Sequence, residues 1–141
     1  MALVQTESLV HFSVPVNDLA ESIKFYTEVL GMTPRGNVGP NGFCVMVGAT
    51  PIILVARATP RPFEEPEQMN GQLCHQAFQV SSEEYDRAQV AFRENGVRMA
   101  NEEWRKTGTF TGRSQYFFDP SGNRLEINDP NPPFWPEGLD R

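Results

Sequence analysis

The apolar positions of this chain fall into two similar series. The first opens with His11-Phe-Ser-Val, in which Phe12 and Val14 alternate with polar residues, the period-two pattern of a half-buried strand. Asn17 and Asp18 follow, and either can cap a helix. Leu19, Ile23, Tyr26 and Leu30 then recur at helical spacing up to Gly31, which supplies a left-handed stop. The second series opens with His75-Gln-Ala-Phe-Gln-Val, with Phe78 and Val80 on one face. Ser81 and Glu84 have capping-box spacing, Tyr85, Ala88 and Phe92 form a helical stripe, and Asn95-Gly96 ends it. His11 and His75 are separated by nearly the same interval as Gly31 and Gly96, which marks an internal repeat.

Strand-like runs follow each helix. Residues 42–47 and 52–56 predict a hairpin around Gly48-Ala49. Residues 114–118 and 124–128 flank a turn-rich DPSGN segment at 119–123. One more strand is expected near 32–36, and its counterpart near 97–100. Each half therefore reads βαβββ, an α+β arrangement in which two modules form a curled, cup-shaped mixed sheet with the helices on its outer face. Module one spans 1–57, a linker containing Pro60, Pro62 and Pro66 spans 58–71, and module two spans 72–128. A tail at 129–141, with four prolines around Phe134 and Trp135, is expected to be extended. The whole is read as one structural domain.

Composition narrows the function classes. With 39% hydrophobic residues the chain can bury a core, and a net charge of −6 leaves no basic footprint for nucleic acid. Cys44 and Cys74 belong to no CxxC pair, and a reducing cytoplasm is expected. The opening MALVQTESLV lacks a basic stretch followed by a long apolar run, and no segment is long and apolar enough to span a membrane. The expected partner is a small molecule.

The two histidines, the chain's whole complement, occupy equivalent places in the repeat. If Phe12, Val14, Phe78 and Val80 face the helices, strand alternation turns His11 and His75 toward the concave side. In Arg124-Leu-Glu-Ile-Asn128 the same alternation turns Glu126 inward, where a carboxylate is costly unless a positive charge compensates it. Two imidazoles and one carboxylate suit a divalent transition metal with open positions for substrate: Fe(II), Mn(II), Zn(II), Ni(II) or Co(II). Ser13, on the face of His11, and Tyr116 could hydrogen-bond a reacting oxygen. Arg113 and Arg124 could hold an anionic substrate, with Trp104 and Phe110 as an aromatic wall. Each of these also has an ordinary structural reading: core aromatic, surface arginine or packing residue.

The segments HFSVPVNDLAESIKFYTEVLGM, CHQAFQV and SQYFFDPSGNRLEI resemble the vicinal oxygen chelate superfamily of glyoxalases, bleomycin-resistance proteins and extradiol dioxygenases. The resemblance covers His11 to about Asn128. It implies a metal cup with His11, His75 and Glu126 as ligands, and a homodimer. The family's fourth ligand position falls near Ile53 or Leu54 and is apolar here, unlike that of lactoylglutathione lyases. The His-His-Glu set resembles that of ring-cleaving dioxygenases, which is the reading placed slightly ahead, with Glu126, Ser13 and Tyr116 at the reacting centre. It is also similar to that of fosfomycin-resistance thiol transferases, which Ser13, Lys106 and Tyr116 favour and the GTFTGR stretch disfavours. A lyase or isomerase is a further alternative. The rival from another class is a metal-free protein that binds and sequesters a small drug-like molecule.

Overall fold

A computed structural model of the chain describes residues 1–63 and 74–139. The chain divides into two compact units, Met1–Arg61 and Pro62–Arg141. Most of the expected linker (64–71) lies outside the described residues.

The first unit runs β1 (Phe12–Val16), α1 (Leu19–Lys24) with a π-helical turn (Phe25–Val29), then β2 (Thr33–Val38), β3 (Gly42–Val47) and β4 (Thr50–Ala56). Its sheet has the order β1-β4-β3-β2, with β1 parallel to β4 and the other pairs antiparallel. The caps follow the residue chemistry. Asp18 is the N-cap and accepts from the Glu21 N–H at 2.8 Å. Asn17 instead binds the Arg57 guanidinium and the Arg61 backbone. Gly31 adopts φ +67° at the stop. The helix departs from the expected single stripe. Leu30 N–H reaches back five residues to the Phe25 carbonyl, and this wider turn shifts the face by one residue. Phe25 and Tyr26 are therefore both buried, while Leu19 and Leu30 are only half-buried. Val14, Val16, Val45, Ile52 and Leu54 join this core with Met32 and Cys44, the large aliphatic side chains each contributing about 1.5–3 kcal/mol by leaving water.

The second unit repeats the order: β5 (Gln76–Gln79), α2 (Ser82–Glu94), β6 (Met99–Arg105), β7 (Gly112–Phe118) and β8 (Arg124–Asp129). Its sheet order is β5-β8-β7-β6, with β5 parallel to β8. Ser81 caps α2 by accepting from the Glu84 N–H at 3.2 Å. The expected capping box is only half made, because the Glu84 carboxylate turns to Arg87. The α2 face of the sheet holds Phe117 against Phe92 (4.6 Å between ring centres) and Gln115 against Gln89. The DPSGN turn is organised by buried Asp119, which accepts from the Ser121 and Asn123 backbone N–H groups and from the Asn123 amide. β6 lies further along the chain than the expected 97–100, and this moves several side chains into the site described next. The tail lies along its own unit: Phe134 and Trp135 meet Trp104, and the Lys106 ammonium donates to the Leu139 carbonyl.

Both units are thus four-stranded βαβββ modules of the expected α+β class. No helix among the described residues is long and apolar enough to cross a membrane.

Candidate functional site

The sheet face of the second unit opposite α2 borders a cavity of about 1000 Å³. Strand alternation explains its lining. Leu125 and Ile127 of β8 are buried against the helix side, so Arg124, Glu126 and Asn128 face the other way. Register places Tyr116 of β7 directly opposite Glu126, Ser114 opposite Asn128, and Ala77 of β5 beside Glu126. His75, one residue before β5, lines the same cavity.

At the cavity wall His75 Nε2 lies 2.8 Å from Glu126 Oε2. The carboxylate side chain is only 7% exposed and the imidazole 28%, so each group answers the other's burial. The Tyr116 ring stands edge-on to His75 at 5.2 Å. Its hydroxyl lies 3.3 Å from Glu103 Oε2 and 3.3 Å from an Arg105 Nη. Glu103 and Arg105 are themselves in contact as an ion pair. Burial, reinforced by the charges of Glu126 and Glu103, pushes the Tyr116 phenol up against the opposing effect of Arg105. Tyr116 therefore keeps its proton at neutral pH, donating it in a hydrogen bond to Glu103 while the phenol oxygen accepts from Arg105. Arg124 lies over the other side of the system, its guanidinium 4.4 Å from the Tyr116 ring centre.

The expected site residues divide. His75, Glu126, Tyr116, Arg124 and Phe110 line this one cavity, and Phe110 is 75% exposed at its loop. His11 and Ser13 belong to the first unit. Both are exposed, His11 just ahead of β1 and Ser13 within it, paired with Ile53. Among the described residues, no group of three or more His, Cys, Asp or Glu side chains comes together as a metal cluster. Arg113 and Trp104 sit on the α2 side. Their positions pair across β6 and β7, and neither lines the cavity. Arg113 is buried, bonded to Asp129 at 2.9 Å, to Asp86 at 2.8 Å and to the Ser82 carbonyl, and lies over the Tyr85 ring. Its donors hold α2 to the sheet. Alternation gives the reason: Arg113 is three residues from Tyr116, an odd step along one strand. Trp104 instead donates to Glu102 and stacks on the tail aromatics.

Sequence reasoning passed over Glu103, Arg105, Asn101 and Asn128, which also line the cavity. With β6 expected to stop at residue 100, the facing of 101–105 could not be read. The alternation Glu102, Trp104 against Glu103, Arg105 was the available signal.

The family model described as the Glyoxalase/Bleomycin resistance protein/Dioxygenase superfamily matches residues 8–127. The chain belongs to this superfamily. Among curated proteins it is 28% identical over 124 residues to the glutathione transferase FosA of Serratia marcescens, covering 86% of this chain and 80% of that one. Among solved structures it is similar to the fosfomycin resistance protein FosX of Listeria monocytogenes complexed with Mn(II) and sulfate. That match has a TM-score of 0.71 at 22% identity, over 90% of this chain and 93% of that one. FosX of Mesorhizobium loti gives a TM-score of 0.68 at 19% identity, over 90% and 95%. These structures share the superfamily fold.

Proposed function

We propose that this superfamily member is a divalent-metal-dependent enzyme that transfers a thiol to a small oxygenated substrate, with His11, His75 and Glu126 as metal ligands. The observation that carries this reading is the convergence of His75 and Glu126 on one point of the cavity, beside a protonated Tyr116. The donor set fits a metal. Two ligands bound at about 2.1 Å lie about 3 Å apart in an octahedral shell and about 3.4 Å in a tetrahedral one, so His75 Nε2 and Glu126 Oε2, in hydrogen-bond contact at 2.8 Å, need part only slightly to share a metal. A divalent metal there supplies Lewis-acid polarisation of a substrate oxygen.

The remaining work falls to the chain's own side chains. Tyr116, whose O–H points to Glu103 and whose oxygen accepts from Arg105, turns that O–H from Glu103 to the substrate oxygen as negative charge develops on it. In thiol transfer to an epoxide, the sulfur forms a bond to carbon as the C–O bond breaks, and the proton given up by the thiol balances the one the alkoxide takes. Ser13 is proposed to accompany His11 as a substrate hydroxyl, and Phe110 to cover the bound molecule. Likeness to a glutathione transferase supports thiol transfer over dioxygenation, the order opposite to that expected from the ligand set alone. A homodimer is proposed as the working form, and a monomer in light scattering at micromolar concentration contradicts it.

Incubation of the Mn(II)-loaded protein with glutathione and fosfomycin, followed by mass spectrometry, tests the reaction. A glutathione adduct is expected, formed about 10²-fold more slowly by Tyr116→Phe with metal content unchanged. No adduct with any divalent metal, together with ring opening of a catechol under Fe(II), reverses the order in favour of a dioxygenase. A second reading takes the His75–Glu126 contact as a self-sufficient ion pair in a metal-free binding protein. It predicts ligand binding that survives exhaustive chelation and no turnover.

A further inference from the structure

The charges lining the cavity of the second unit do not pair completely. Glu126 faces His75, and Glu103 faces Arg105. Arg124 is left: among the described residues no carboxylate lies within ion-pair distance of it. It is nevertheless held in place. One Nη donates to Asn101 Oδ1 at 2.9 Å, and the guanidinium plane rests over the Tyr116 ring at 4.4 Å. Its Nε is shut off from solvent and has no hydrogen-bond partner. A guanidinium that is half-buried, stacked and lacking a counter-ion bears a desolvation cost that an arriving anion removes. The other buried guanidinium of this unit, Arg113, is already neutralised by Asp129 and Asp86 on the opposite face.

We infer that Arg124 is a specificity residue that recognises an oxyanion group, carboxylate or phosphonyl, on the substrate. The inference rests on the proposal that the substrate occupies this cavity, and it names the substrate's class: a small molecule carrying a negative charge. The position suits the role. Arg124 and Glu126 are neighbours on one face of β8, about 7 Å apart along the strand. The charged group would therefore sit a few bonds from the reacting oxygen. Asn101 and Tyr116 fix the guanidinium fork in advance, so little side-chain entropy is lost when the anion binds. Arg105, facing Tyr116 and Glu103, lies in the same wall and adds positive potential.

The test is calorimetric titration of the full chain with methylphosphonate, with acetate and with uncharged dimethyl sulfone, once in chelator and once with Mn(II). Wild type should bind at least one of the two anions saturably in chelator and ignore the sulfone. Arg124→Gln should weaken that binding about tenfold or more, and Arg124→Lys, which keeps the charge and loses the fork, should fall between. Arg93→Gln, at the exposed end of α2, should change nothing. The tighter of the two anions identifies the group. The inference is overturned if neither anion saturates the chelated protein, or if Arg124→Gln binds as wild type does. It is also overturned if binding requires Mn(II) and ignores residue 124, because the anion then sits on the metal. Arg124-dependent binding in chelator by a protein that takes up no metal leaves the inference standing while the metal proposal fails.

Discussion

Replacing Arg113 by Met separates two roles that its sequence position allows. In the structure Arg113 and Asp129 form a buried pair at 2.9 Å, with side chains 6% and 1% exposed. Asp129 otherwise accepts from the Asn131 N–H. Removing the guanidinium leaves a buried carboxylate with that single backbone donor, and breaking a buried pair on one side costs about 3–5 kcal/mol. The second partner, Asp86, is 63% exposed, so its share is below about 1 kcal/mol. Met keeps part of the contact with Tyr85, which puts the net loss near 3 kcal/mol, a large part of the stability of a small domain. Urea unfolding followed by circular dichroism should show a lower midpoint for Arg113→Met and a shift of under about 1 kcal/mol for Asp86→Asn. The double variant Arg113→Met/Asp129→Leu should recover most of the loss, because an apolar replacement of both partners is close to neutral. Suppose instead that Arg113→Met is as stable as wild type and binds the anionic probe more weakly. Then Arg113 is a substrate arm, and its placement on the α2 side is refuted.

Two further predictions concern the same unit. Burial and the hydrogen bond to Glu102 raise the Tyr85 phenol well above its ordinary value, so the folded chain holds that proton more tightly than the unfolded one. This contribution to stability is complete below about pH 10 and is lost as the pH climbs from there toward the folded value. Melting temperature should therefore fall above about pH 10, and the fall should be shallower in Tyr85→Phe; equal slopes contradict the assignment. Gly112 has φ +111°, and a Cβ there would lie 2.0 Å from the Asp129 carbonyl oxygen. Gly112→Ala should cost at least about 3 kcal/mol, and an unchanged urea midpoint would show that β7 and β8 do not approach as described.

Much of this fold is written in short-range pattern. The two histidine-strand-helix-glycine series, the Gly48-Ala49 hairpin and the DPSGN turn are local signals, and each sits where its residues place it. What escaped was set by tertiary context. A π-helical turn at Phe25–Val29 leaves no mark on periodicity until one asks why Phe25 and Tyr26 are both apolar. β6 is polar through most of Met99–Arg105, because one of its faces meets Tyr85 of α2 and the tail while the other lines a charged cavity, and hydrophobic alternation does not reveal such a strand. The candidate site was legible to the extent that alternation was: it turned Glu126 and His75 to one side of the sheet. For Arg113 and Trp104, residue type suggested ligand chemistry, yet their strand parity with Gln115 and Phe117 assigns them to the helix side.

Metal binding by His75 and Glu126 is the proposal on which the enzyme reading stands. Its most direct test is metal analysis by plasma mass spectrometry on untagged protein, for wild type, His75→Ala and Glu126→Gln, after each is offered Mn(II), Fe(II) or Zn(II) and then desalted. About one transition metal per chain is expected in wild type and almost none in either variant, with all three proteins folded. A wild type that retains no metal from any of the three, or variants that retain as much as wild type, would contradict it.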